Sequence, residues 1–426
     1  MNDPGTIVRR GLERTTPREL SLEGLYRRRD RHRRNQRITA GIVAAGIALA
    51  GLAFAANVLR TTETNIPVTP MPDGAIVFLD GGRLMVTSDA GGGARPLLDP
   101  GTLRAVDGPG SCPPPRCGAL PVFTWSPDGT QVLFAWNDLS ASLGSEDHRW
   151  DTLYEASATG TEIRSVTTCG AGSPGGMCTD VAISPDGGTI AFTTEDGILW
   201  STSVGSQGGS NVADSVVDFA WAPNSDELAL LRSSGEVRVA SMTDVSGSPT
   251  EYVAGVPGQP TSLAWSPDGA SLLVTSAGTS SLRSDVIIRI DRRGGRQATI
   301  ARGHRERFLS DASWSPDGTL IAWAAFPGKR FFGGPGAPFE TEIWVAHADG
   351  SDAHRVYATG CCVAGKTEHA FTGPVFSPDG RSLAFSVVGD RADLPNDTGI
   401  YVVDVDEGGL RQLSPTGILP AWQPLP

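Results

Sequence analysis

Trp265-Ser266-Pro267-Asp268-Gly269, running on into Leu272-Leu273-Val274, is one of five near-copies of a single pattern in this chain of 426 residues. The other copies of Ser-Pro-Asp-Gly open at Ser126, Ser184, Ser315 and Ser377. Trp125, Ile183, Trp314 and Phe376 stand just before them. Beyond each glycine comes an apolar run: Val132-Leu133-Phe134, Ile190-Ala191-Phe192, Leu320-Ile321-Ala322 and Leu383-Ala384-Phe385. A degraded copy reads Trp221-Ala222-Pro223-Asn224-Ser225-Asp226, and a last one is cut short at Trp422-Gln423-Pro424. Repetition at this spacing decides the architecture.

Proline pre-sets the backbone angle at the second position of a turn, aspartate bonds its own backbone, and glycine accepts positive φ at the end. Each copy is therefore a tight reversal between two strands. Two more short strands follow in most units, as in Glu342-Ile343-Trp344-Val345 and Arg355-Val356-Tyr357, or Gly399–Val403 and Leu410–Leu413. Four antiparallel strands in about 50 residues, repeated, are the mark of a β-propeller blade. Period-two alternation among many glycines and prolines argues against helical repeats.

The pattern resembles the TolB-type, WD-repeat-like propeller repeat, over roughly Pro72 to Pro426. That resemblance implies an all-β fold and says little about activity, because the fold carries scaffolds, binding proteins and the non-catalytic halves of hydrolases. Six units carry the turn and its following strands. Residues 74–101 supply three strands without a leading one, and Leu419-Pro420-Ala421-Trp422 is a leading strand with nothing after it. Three plus one gives a seven-bladed propeller whose first blade is closed by the C-terminus, leaving no open sheet edge. Six blades are the alternative, since the unit around Trp221 is degenerate and the strand near Asn211 is weak.

The front of the chain reads differently. Ile38 to Leu59 is uncharged and bounded by Arg37 and Arg60; as a helix it reaches about 33 Å, enough for a bilayer core of about 30 Å. Before it stand Arg27, Arg28, Arg29, Arg31, Arg33, Arg34 and Arg37, charge that holds an N-terminus in the cytoplasm. The organisation expected is a basic cytoplasmic segment (1–37), a transmembrane helix (38–59), a linker (60–72) and an extracytoplasmic propeller (73–426). The competing reading is a signal peptide cleaved after Ala53-Phe54-Ala55. The formal charge of the chain is -12 although its front is basic, so the propeller is acidic and nucleic acid is excluded as a partner.

All six cysteines lie beyond the membrane segment, as Cys112 with Cys117, Cys169 with Cys178, and Cys361 beside Cys362. In an oxidising compartment they are candidate disulfides, though adjacent Cα atoms about 3.8 Å apart fall short of the usual range for the last pair. Zinc is the alternative, without Cys-x-x-Cys spacing to support it. Each pair falls between the last strand of one unit and the first of the next. These connections share a face with the long second-to-third-strand loops at 137–149, 326–338 and 389–398, opposite the Ser-Pro-Asp-Gly turns. A recognition rim is expected there, carried by His148, Trp150, Lys329, Arg330, Phe331, Phe332 and Arg391 and suited to a protein, peptide or glycan. The alternative has Phe331 and Phe332 plugging the channel mouth.

No nucleophile elbow, phosphate-binding loop, zinc-protease helix or calcium loop occurs, and the turn aspartates are explained by the turns. The chain is therefore expected to be a non-catalytic, single-pass binding or scaffold module with no cofactor. The alternatives are an enzyme whose site is assembled from rim loops and a transmembrane regulator with a cytoplasmic partner. Oligomeric state is not legible.

Overall fold

The serine of each turn does as much as the proline. In all five intact copies its hydroxyl donates to the aspartate two residues on, at 2.5–2.6 Å, and accepts the N–H five residues on, as in Ser271 N to Ser266 Oγ at 2.9 Å. The same aspartate accepts a second backbone N–H beyond the glycine, as Asp268 does from Ala270. Gly129, Gly187, Gly269, Gly318 and Gly380 all sit at positive φ, 66–74°. In the degraded copy Ser225 takes that angle at 65°, and Asn224 stands in for the aspartate by accepting from Asp226 N.

These turns organise a computed structural model that describes residues 74–425 except 81–82, 91–92, 99–121, 138–150, 161, 170–177, 207–208, 244–249, 279–284, 304–306, 311, 328–341, 359–369, 372 and 389–398. The strands form seven antiparallel sheets arranged as a β-propeller. The first blade joins Ala75–Asp80, Arg83–Ser88 and Arg95–Pro96 to Ile418–Trp422. The second is Phe123–Trp125, Gln131–Asn137, Asp151–Ser157 and Ile163–Thr168; the third is Cys178–Ile183, Thr189–Thr194, Leu199–Ser203 and Ser210–Ala213. The fourth runs Val216–Trp221, Glu227–Arg232, Glu236–Ser241 and Glu251–Gly255, and the fifth Gln259–Trp265, Ser271–Ala277, Val286–Asp291 and Gln297–Arg302. In the sixth and seventh the leading strand is broken in two: Arg307–Leu309 with Ser313–Trp314, and Ala370–Phe371 with Val375–Phe376. Their remaining strands are Leu320–Pro327, Glu342–His347 and His354–Ala358, then Ser382–Val388, Gly399–Asp404 and Leu410–Ser414.

Three-plus-one closure is realised by the pairing of Ile76 with Trp422 and Val77 with Ala421. The degenerate unit at Trp221 builds a complete blade, which removes the six-bladed alternative. The expected strand at 94–98 shrinks to Arg95–Pro96, where proline has no N–H to extend the ladder.

Among the described residues the buried apolar side chains fall into seven clusters, one at each seam between neighbouring blades. A single blade cannot cover its own faces, so the core exists only between blades. The motif tryptophans tie the seams twice over. Each packs at the seam, and in all but Trp314 the indole N–H crosses to the preceding blade: Trp265 Nε1 to Ala220 O at 2.9 Å, Trp422 to Val375 O at 3.1 Å, Trp125 to Ala421 O at 3.2 Å, Trp221 to Ala182 O at 3.4 Å. Neighbouring turns also abut. A Cβ on Gly269 or Gly318 would meet the proline of the preceding turn at 3.7 and 3.4 Å, and one on Gly129 would strike Pro424 O at 2.6 Å. Pro424, from the truncated last copy, thus serves as the proline of the closing blade.

The expected membrane segment, linker and basic segment lie outside the described residues; among the described ones no helix is long and apolar enough to cross a membrane.

Candidate functional site

Leading strands of successive blades contact one another, and Trp125 Nε1 bonded to Ala421 O completes the ring, so these strands surround the propeller axis. The residue before each motif aromatic is small or short: Thr124, Ala182, Ala220, Ala264, Ser313, Val375 and Ala421, each partly exposed. Period-two alternation puts the residue two places earlier on that same axial face. In the third and fourth blades that residue is an aspartate.

Asp180 and Asp218 therefore stand side by side at the end of the channel remote from the Ser-Pro-Asp-Gly turns. Their carboxyl groups are hydrogen-bonded to each other. Asp180 Oδ1 accepts from Val181 N at 2.7 Å. Asp218 accepts from Phe219 N at 2.8 Å and from Leu263 N of the next blade at 2.6 Å. Burial pushes the Asp180 carboxyl up to about 6, against hydrogen bonds from Val181 N–H and Asp218 that lower it. The physical result is two carboxyl groups side by side in a partly desolvated setting, both also accepting backbone N–H bonds. The turn aspartates behave oppositely. Asp128, Asp186, Asp268, Asp317 and Asp379 are all lowered, first by the serine hydroxyl that donates to each.

Exposed apolar side chains collect at the same end. Val217, Ile418 and Leu419 lie at the starts of leading strands and are 41%, 39% and 41% exposed; Phe308, in the broken leading strand of the sixth blade, is 38% exposed. Leu419 holds φ at 54°, a left-handed angle that costs a leucine about 1–2 kcal/mol. Strain of this kind persists where surrounding structure imposes it, and it concentrates at functional sites.

Cys169 and Cys178, bridging the second blade to the third on this face, are joined by a disulfide with Cα atoms 5.7 Å apart. The rest of the expected rim, His148, Trp150, Lys329, Arg330, Phe331, Phe332 and Arg391, lies outside the described residues, as do Cys112, Cys117, Cys361 and Cys362. The flanking strands show that the loops carrying the rim residues join second to third strands. Asp180, Asp218, Val217, Phe308, Ile418 and Leu419 were not singled out in the sequence. One signal was present: Asp180 and Asp218 each stand three residues before the motif aromatic, at Ile183 and Trp221. Asp311 has the same place before Trp314 but lies outside the described residues. No cluster of three metal-binding side chains occurs among the described residues.

No protein-family model matches the sequence, and no curated protein does. Solved structures share the fold. A periplasmic gluconolactonase from Pseudomonas aeruginosa matches at 13% identity and a TM-score of 0.53, covering 83% of this chain and 99% of that one. A protein described as a 6-phosphogluconolactonase from Bacteroides uniformis matches at 12% and 0.52, covering 82% and 99%. A protein described as TolB, from Agrobacterium tumefaciens, matches at 16% but only 0.42, covering 68% and 91%, and carries no argument. The chain is similar to the first two in fold alone. Their names nevertheless correct one expectation: propellers of this architecture are used by enzymes, so the expectation of a non-catalytic chain does not stand. The physical reason is that blades place residues distant in sequence around one axis, where no contiguous motif would betray them.

Proposed function

We propose that the chain is a single-pass membrane protein whose acidic propeller, held outside the cytoplasm by residues 38–59, binds a protein or peptide segment at the channel end opposite its serine turns. One observation carries the reading: exposed Val217, Phe308, Ile418 and strained Leu419 share that end with the carboxyl pair Asp180 and Asp218. Apolar side chains at a mouth with a buried polar anchor suit a segment that offers both apolar side chains and hydrogen-bonding groups. The uncharged run behind seven nearby arginines supports the topology, and the turn motif supports kinship with TolB-type propellers.

A second reading rests on the same pair. A carboxyl group near pKa 6 in contact with a second carboxyl group is equipped for proton transfer, the kind of pair that acid–base catalysis uses.

The test is site-specific photocrosslinking in intact cells. A crosslinker at Thr179 should capture a partner, and Phe308→Ser with Leu419→Gly should abolish that capture; a crosslinker at Gly188, on the turn face, should give none. Equal capture from both faces, or capture untouched by the double variant, would sink the reading.

A further inference from the structure

The seven blades act as controls for one another, and one of them departs from the pattern on the turn face. In all seven blades the residue just after the third strand sends its N–H to the carbonyl just before the second strand: Asp89, Ala158, Val204, Met242, Arg292, Ala348 and Val405. Only the fifth blade has a cation there. Two residues before the end of that strand stand Val86, Glu155, Ser201, Val239, Val345 and Val402 in the other blades, and Arg289 in the fifth. Arg293 follows directly. Three arginines thus cluster at the turn end of one blade of a propeller that is otherwise acidic. Residues 1–37 hold eleven arginines and five acidic residues, so the remainder of the chain carries −18 of the overall −12.

These arginines line a cleft of about 580 Å³ between the fifth and sixth blades. The two carboxylates beside them each give one oxygen, Oδ1, to their own turn. Asp268 accepts from Ser266 Oγ and Ala270 N, and Asp291 accepts from Arg293 N and Gly294 N. Arg289 uses Nη1 on Ala348 O at 2.9 Å, leaving its other face of donors. Arg293 is exposed and its guanidinium has no partner among the described residues. Arg292 is fixed from behind by Glu227 and Glu251, at 2.8 and 3.0 Å. Two buried donors in the cleft wall, Arg292 Nε and Trp314 Nε1, meet no acceptor among the described residues. Trp314 is the exception here, because the other four motif tryptophans reach the preceding blade's carbonyl.

We propose that this cleft binds a phosphate oxyanion, held by the forked donors of Arg289 and Arg293 with Arg292 as the fixed back wall. Planar guanidinium groups match the geometry of a phosphate's oxygens, and Arg289 and Arg293 keep donors that no group among the described residues takes. The phosphate has two sources, a small soluble phosphorylated molecule or a lipid headgroup.

The experiment uses the full-length chain in phosphatidylcholine nanodiscs. Inorganic phosphate is titrated at constant ionic strength with sodium chloride, and the thermal midpoint of the propeller is followed. A saturable rise is expected, with the apparent affinity at least tenfold weaker in Arg289→Gln with Arg293→Gln. In parallel, nanodiscs containing phosphatidylglycerol are compared with phosphatidylcholine alone. A rise confined to the anionic lipid and lost in the double variant supports the site and assigns the headgroup as its source. A rise with inorganic phosphate assigns the soluble one. Should the double variant fold poorly, Arg293→Gln alone, at an exposed position, should still weaken the response severalfold. No saturable response from either source, or one that the variants leave unchanged, overturns the proposal.

Discussion

Replacing Asp180 with asparagine isolates the energetic consequence of the carboxyl pair. In the folded chain the Asp180 carboxyl is raised from 3.8 to about 6, chiefly by burial. Between those values the folded state holds a proton that the unfolded state has released, so stability falls as pH rises through the window. The effect is complete above pH 6 and absent below about pH 4. A separation of this size corresponds to about 3 kcal/mol, less whatever the partial exposure of the site relieves. Asparagine can never ionise, and its amide offers Asp218 both an acceptor and a donor. The variant should therefore equal the wild type near pH 4 and exceed it by up to about 3 kcal/mol at pH 7. Urea unfolding of the full-length chain at pH 4, 5, 6 and 7, followed by tryptophan fluorescence, measures the difference. Titrations common to both chains cancel in it, including those of the turn aspartates. Those five are lowered below 3.8, so they contribute stability above that value and lose it only at more acid pH. A difference that stays constant from pH 4 to 7 would refute the reasoning, and so would a variant less stable than wild type at neutral pH.

Further outcomes follow from the same geometry. Deleting residues 418–426 removes the fourth strand of the first blade together with Trp422, 9% exposed; the loss should exceed the about 3–5 kcal/mol typical of truncating a buried tryptophan, and an unchanged melting temperature would disprove the closure. Trp265→Phe keeps the seam packing but strands Ala220 O, so unfolding experiments should show a cost of about 1 kcal/mol, against little change for Trp314→Phe, whose indole N–H has no acceptor among the described residues. Cys169→Ser with Cys178→Ser opens a loop of nine residues' separation, for which chain entropy gives about 2–3 kcal/mol; equal stability of the oxidised wild type and the double variant would count against that role. Reporter fusions at the C-terminus should be active only outside the cytoplasm, and a cytoplasmic signal would reverse the proposed topology.

The serine turns, their spacing and the three-plus-one arithmetic of the termini were legible in the sequence because each rests on local backbone chemistry. Proline, aspartate and glycine act within four residues, and a missing leading strand at one end matches a spare one at the other. Even there the sequence undervalued the serine, whose hydroxyl closes every turn, and left Trp314 indistinguishable from Trp265. What only the tertiary structure decided is everything that depends on two blades meeting. Asp180 and Asp218 are 38 positions apart in sequence, and each alone is an ordinary strand aspartate. Ring closure sets them side by side, and burial then moves a proton. The same holds for Arg289, Arg292 and Arg293, which belong to no motif in the sequence and become the wall of a cleft where the fifth and sixth blades meet. Local chemistry shaped each blade, while charge, burial and recognition arose at the seams and the axis, where residues distant along the chain are brought together.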